Sequence, residues 1–367
     1  MIRLKRKTVV LTVIIVTGIA LRFFFASLGH NYDLESYKLV AAIVSRGGNV
    51  YAETARYNYG PIWSWILGAL AFLANVLQDN PAVFRYGLTV ILTGVDLGIF
   101  SILYKKFNLK AAACYFLNPV SFIVTGYYSQ FDNFAILIGI LAILVKDSRL
   151  KNRVFWSAVL LGISISLKQL LMFFPLWLCF REKKPGNKLI YLVIPYFIFL
   201  LLFLPYLSGG GIAGIEQNVF MYKSVRNTYF TQLFLFGSNN YVLAMFCFLG
   251  AVTAGAWLLK KSSTLIYLFG YCFLILIFSP SMLPYYFVLV LPLLAVKPNW
   301  LFVLFSLVTG FILCLNGLGP GWQPLMSVAP PLLLSENYWS EPFLLPYVIL
   351  WGGLFWLINI QNKNITN

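Results

Sequence analysis

Apolar runs of roughly 15 to 25 residues, separated by short polar turns, recur along the whole 367-residue chain. The first, over 8–28, reads as a helix that crosses a membrane and delivers a polar loop, 29–37, to its far side. No small-residue cleavage site precedes that loop, so the segment reads as a retained first helix. Within the loop Leu34, Tyr37, Leu39/Val40, Ala41 and Val44 recur at helical spacing, predicting an amphipathic helix over 34–46 that lies on the membrane face and ends at Gly47–Gly48. Gly60–Pro61 opens a helix to about 78, and another runs from 81 to 104 into Lys105–Lys106. Two full crossings here would put those lysines beside the acidic loop, against the charge rule, so 61–78 is read as not fully crossing.

Further helices are expected over 111–125, 134–146, 154–168, 170–180, 189–207, 240–259, 264–279, 283–296, 300–316 and 343–360. The fold class is therefore all-α: a polytopic transmembrane bundle of about 11–13 helices. It forms a single integral domain over 1–367, with outer loops at 29–60, 208–238 and 317–342.

Composition agrees, since 60% hydrophobic and 10% charged residues are more apolar surface than one soluble core can hide. The net charge of +16 falls in short clusters between apolar runs: Arg3/Lys5/Arg6/Lys7, Lys105/Lys106/Lys110, Lys146/Arg149/Lys151/Arg153, Arg181/Lys183/Lys184/Lys188 and Lys260/Lys261. Such clusters mark cytoplasmic loops, so the charge encodes topology and not a nucleic-acid partner. The expected location is a plasma or inner membrane, or the endoplasmic reticulum in a eukaryote, with the chain crossing many times. The five cysteines lie inside apolar runs without CxxC spacing, which argues against disulfides, metal and thiol chemistry.

On this topology the unusual polar groups fall at outer ends of helices or in outer loops: Asp33 and Glu35, Gln130 and Asp132, Lys168 and Gln169, Lys223 and Arg226, Tyr285 and Tyr286. The order Asp33-x-Glu35, Tyr57-Asn-Tyr-Gly-Pro61, Gly126-Tyr-Tyr-Ser-Gln-Phe-Asp-Asn133, Ser166-Leu-Lys-Gln169 ahead of Phe173-Phe-Pro175, and Ser279-Pro-Ser-Met-Leu-Pro-Tyr-Tyr286 resembles the GT-C glycosyltransferases. It is most similar to the GPI mannosyltransferase I type and to the dolichyl-phosphate-glucose-dependent glucosyltransferases, over about residues 1–296. The resemblance implies a polyprenyl-phosphate-linked hexose donor, with mannose or glucose favoured. It also implies an acceptor glycolipid, glycan or protein on the extracytoplasmic side, and inversion at the anomeric carbon. It matches the family's first-loop acid to Asp33, its outer Gln/Asn motif to Gln130–Asn133 and its Lys-Gln pair to Lys168–Gln169. The chain departs at Met282–Leu283–Pro284, where relatives carry His or Gln, and this leaves the donor sugar open.

The residues carry their own chemistry. Glycosyl transfer from a phosphate needs one base for the acceptor hydroxyl, because phosphate leaves as a stable anion. Asp33 is either that base or the N-cap of the helix starting near Leu34. Glu35 orients the acceptor, helps hold a divalent cation, or is a solvated acid favoured by the helix dipole. No metal site is assigned, and a divalent cation stays open because Asp33-x-Glu35 alone is a weak metal signature. Lys168, Lys223 and Arg226 are the outer cations for a leaving phosphate. Their other uses are snorkelling for Lys168 and an ion pair with Glu216 for Arg226. Gln130 and Asp132 bind sugar hydroxyls or cap a helix; Tyr37, Tyr57, Tyr59, Tyr285 and Tyr286 stack on sugar or form an interfacial belt. His30 reads as interfacial, and Asp96 as a structural partner of Arg85 or Arg22.

Two other classes fit a polytopic chain. A lipid or polysaccharide transporter or flippase would place its site near the midplane between internal repeats, and no repeat is visible. A membrane O-acyltransferase would need a catalytic histidine, and His30 in the first loop is poorly placed for one.

Overall fold

Proline and asparagine set where several helices begin. Pro61, Pro119 and Pro185 sit in first turns, where a missing N–H costs nothing, and the side chains of Asn108 and Asn118 accept the N–H groups of Ala111 and Val120. The computed structural model describes residues 2–77, 81–222, 241–279, 283–317, 348–349 and 352–353. The described residues form helices and turns, in the order α1 (Ile2–Ser27), α2 (Tyr32–Ser45), α3 (Val50–Glu53), α4 (Pro61–Val76), α5 (Pro81–Lys106), α6 (Leu109–Phe116), α7 (Pro119–Gly126), α8 (Asp132–Lys146) and α9 (Arg153–Leu167). There follow α10 (Phe174–Arg181), α11 (Pro185–Leu201), α12 (Gly211–Ile215), α13 (Tyr241–Leu258), α14 (Thr264–Phe278), α15 (Leu291–Leu294) and α16 (Trp300–Gly317).

Among the described residues three helices are long and apolar enough to cross a membrane: Lys7–Ser27 within α1, Ala82–Lys106 within α5, and Pro185–Tyr206, which joins α11 to a following 3-10 turn. The pair α6 and α7, bent by 47°, makes a fourth if it is one span. The described residues are thus all-helical, with the elements of a membrane bundle.

Several expected helices are divided. The run 111–125 breaks at Leu117–Asn118, because Asn118 caps a new helix and Pro119 has no N–H to continue the old one. Asn118 also donates to Ser306 Oγ at 2.6 Å. The run 283–296 is a 3-10 turn, Pro284–Val290, followed by the short α15. Gln169–Leu171 forms another 3-10 turn, ahead of α10. Helix α4 has 16 residues, about 24 Å, short of the roughly 30 Å of a hydrocarbon core. The helix 343–360 and the loops at 223–238 and 318–342 lie outside the described residues, apart from helical positions at 348–349 and 352–353.

Helix α2 starts at Tyr32, earlier than expected, and packs along α4 with Leu34, Tyr37, Val40, Ala41 and Ile43 buried. At their crossing Gly68 leaves room for Val44. Inside the bundle Asp96 accepts from Arg22 Nε at 2.8 Å, Thr125 Oγ1 at 2.7 Å, Tyr115 Oη at 2.7 Å and Asn133 Nδ2 at 2.7 Å. Arg22 spends its other donors on Gly18 O, Phe116 O and Ser121 Oγ. A buried carboxylate and guanidinium, each making four hydrogen bonds, tie α1, α5, α6, α7 and α8 together. The partner of Asp96 is therefore Arg22 and not Arg85.

The helices have two chemically different ends. Lys105 and Lys106 close α5, Lys146 closes α8, Arg153 opens α9 and Arg181 closes α10, where Lys146 pairs with Glu182 at 3.0 Å. At the other end of those helices stand Arg85, Asp132 and Lys168.

Candidate active site

Three segments meet at the end away from the basic turns: the start of α2, the loop 127–133 leading into α8, and the junction after α9. Asn31 is the N-cap residue of α2, although its side chain makes no capping bond, so Asp33 lies inside the first turn and does not cap. The carboxylate of Asp33 is half-buried, and its Oδ2 accepts from Asn31 Nδ2 at 2.8 Å and from the side-chain amide of Gln130. The Oε1 of Gln130 lies 3.5 Å from the buried hydroxyl of Tyr37, which donates to it.

The loop carrying Gln130 is held from several sides. Ser129 is buried at φ 53°, a left-handed conformation that a residue with a side chain adopts at a cost. Arg85 keeps it there: one guanidinium nitrogen donates to Ser129 Oγ, and the other to Gly126 O at 2.7 Å and Gly29 O at 2.9 Å. Tyr128 Oη donates to Leu313 O at 2.8 Å, and Asn133 is fixed by Asp96. The ring of Phe131 stacks on Trp63 at 3.9 Å between centroids.

Next to this loop Asp132 and Lys168 form an ion pair at 2.8 Å, with side chains 0% and 3% exposed. Lys168 is buried and does not snorkel. The 2.8 Å contact uses one of the three N–H bonds of the Lys168 ammonium, leaving two for other partners. Four rings surround the ammonium: Tyr286 at 4.7 Å, Phe131 at 4.8 Å, Tyr59 at 5.3 Å and Tyr285 at 5.7 Å. The charge of Asp33 also acts on both members of the pair. Unmet donors at such depth are costly.

The loop 57–61 closes one wall. Gly60 lies so close to the carbonyl of Ser166 that a methyl group there would collide with it, and Gln169 Nε2 donates to Asn58 O at 3.3 Å. Tyr57 turns inward: its hydroxyl donates to Gly60 O at 2.6 Å and accepts from Ser64 N at 2.8 Å, so it shapes the wall instead of facing a ligand.

The structure brings Asp33, Tyr37, Tyr59, Gln130, Asp132, Lys168, Tyr285 and Tyr286 to one place. Gln169 and Tyr57 support it from behind. Glu35 points away, pairing with Lys38 at 2.9 Å and facing His30 Nε2 at 3.4 Å, and the hydrogen bond from Lys38 holds its carboxyl below the usual glutamate range. Asp33 and Glu35 thus do not face a common point. Lys223 and Arg226 lie outside the described residues, so their expected phosphate role and the Arg226–Glu216 pair have no geometry here.

Sequence reasoning missed Asn31, Arg56, Trp63, Phe131 and the clamp of Arg85 on Ser129. Arg56 had a signal, a cation inside the outer loop 29–60 and directly ahead of Tyr57–Pro61. It lies over the Tyr32 ring at 4.0 Å and donates to Ser36 Oγ at 3.1 Å. No protein-family model matches the chain, and no curated protein matches it.

Proposed function

We propose that this chain is a multi-pass membrane glycosyltransferase of GT-C type. On this reading it moves a hexose from a polyprenyl-phosphate donor to an acceptor at the extracytoplasmic face. The observation that carries the reading is the buried Lys168–Asp132 pair, walled by aromatic rings, beside the amide-held carboxylate of Asp33. Sidedness follows from the positive-inside rule, which assigns the basic ends of α5, α8 and α10 to the cytoplasm and the Asp33 end to the opposite face. In this proposal the shorter apolar helices complete about twelve crossings together with the long ones.

The carboxylate of Asp33 takes the proton of the acceptor hydroxyl as its oxygen bonds to the anomeric carbon. The bond from that carbon to the phosphate oxygen breaks on the opposite face, so configuration inverts and the electron pair leaves with the phosphate. Lys168, buried and held by Asp132, meets the charge that grows there. Asn31 and Gln130 orient the base, and the tyrosine rings give the sugar a flat apolar face.

The test is sugar transfer by the purified full-length chain in detergent, with a panel of polyprenyl-phosphate hexoses and mixed glycolipid acceptors. Consumption of one donor supports the reaction class. If none is consumed, translocation of lipid-linked saccharides in vesicles becomes the assay of choice.

A further inference from the structure

At the basic end of the bundle, between α5, α8, α14 and α15, lies a cavity of about 480 Å³. It is separate from the candidate active site: Asp147 at its mouth and Asp132 stand at opposite ends of α8, about 22 Å apart along the helix. Its walls are apolar, with Leu103, Ile143, Leu144 and Leu293 among them. Its rim is cationic: Lys106, Lys261 and Lys297 are exposed there. Among the described residues none of these three pairs with a carboxylate. The one acid of the rim, Asp147, is engaged, accepting from Thr264 Oγ1 at 3.1 Å. Ser263, the N-cap of α14, also lines the cavity, so the positive end of a 15-residue helix adds to the lysines.

An apolar slot of this volume under a ring of unpaired ammonium groups suits one kind of guest, an amphiphile with an anionic head. A soluble anion would use the rim and leave the slot empty, whereas a zwitterionic lipid would fill the slot and waste the rim. We propose that this cavity is a binding site for an anionic phospholipid of the surrounding bilayer. One acyl chain lies between α5 and α8, and the phosphate sits among Lys106, Lys261 and Lys297. The site does not depend on the reaction proposed above, because it is read by binding alone.

The experiment titrates the purified full-length chain in mild detergent with dioleoylphosphatidylglycerol or dioleoylphosphatidylcholine and counts bound lipids by native mass spectrometry. Two variants accompany it: the exposed triple change Lys106→Gln/Lys261→Gln/Lys297→Gln, and Val296→Trp, which fills the half-buried wall. Thermal unfolding verifies that both fold. The native chain is expected to bind the phosphatidylglycerol at least about tenfold more tightly than the phosphatidylcholine. The triple variant is expected to lose about tenfold or more for the anionic lipid alone, and Val296→Trp to lose binding of both lipids at this site. Equal affinity for the two lipids, or an unchanged triple variant, overturns the proposal. Glycerol 3-phosphate at millimolar concentration is the third arm. If it binds with the same lysine dependence and is indifferent to Val296→Trp, the cavity is a soluble-phosphate site and the lipid assignment is wrong.

Discussion

Gln130 reaches across 97 positions of sequence to donate its side-chain amide to the carboxylate of Asp33, and with its other atom it accepts from Tyr37. A base that must meet a hydroxyl in one direction gains from such a bond, since its lone pairs are aimed before substrate arrives. Gln130→Ala is expected to lower kcat about tenfold to a hundredfold with a much smaller change in KM. Initial-rate kinetics in detergent measure the split; an unchanged kcat would remove Gln130 from the site.

Lys168 and Asp132 form a pair in which each charge is supported by the other. Lys168→Met strands a buried carboxylate and should cost about 3–5 kcal/mol of stability. The double change Lys168→Met/Asp132→Leu should recover most of that in thermal unfolding, because both charges are gone. Transfer should stay abolished in the double variant. Recovery of stability and activity together would make the pair purely structural.

Gly60 rests against the Ser166 carbonyl, and the loop it belongs to presents Tyr59 to Lys168. Gly60→Ala forces that loop outward and should destabilise by about 1–3 kcal/mol. Transfer should fall as well, through displacement of Tyr59 from the ammonium. Unfolding midpoint and KM for the donor, measured on the same preparation, check both effects.

Glu35 serves as a contrast to Asp33. Its exposed carboxyl is lowered by the hydrogen bond from Lys38, so whatever stability it adds is present at neutral pH. That contribution fades as pH falls from the ordinary glutamate range through its lowered folded value. Glu35→Gln should leave transfer within about twofold of the native rate and should flatten only this acid-side loss.

Much of the arrangement was legible in the sequence. Apolar runs marked most helices, and the polar residues they put at outer helix ends include Asp33, Gln130, Asp132 and Lys168, which lie together, and Glu35, which turns to Lys38. The break at Asn118–Pro119 was also written there, but a hydropathy window averages over a cap and a proline that act on single N–H groups. Partner choice was not legible. Asp96 had two candidate arginines, and only packing decides that Arg22 faces it while Arg85 bends Ser129 into place. Direction was equally hidden: Tyr57 and Tyr59 are two residues apart in one loop, yet one hydroxyl is spent on Gly60 and Ser64 and the other ring faces Lys168.

The most direct measurement is turnover of a polyprenyl-phosphate hexose by the native chain and by Asp33→Asn. The amide keeps the shape of the side chain, so Asn31, Gln130 and the surrounding helices have no reason to rearrange, and an unchanged unfolding midpoint verifies that. The expected result is donor binding within a few-fold of native and turnover lowered by about two to four orders of magnitude, the loss of a general base. Turnover by Asp33→Asn at the native rate would contradict the assignment of Asp33 and leave the proton to another group.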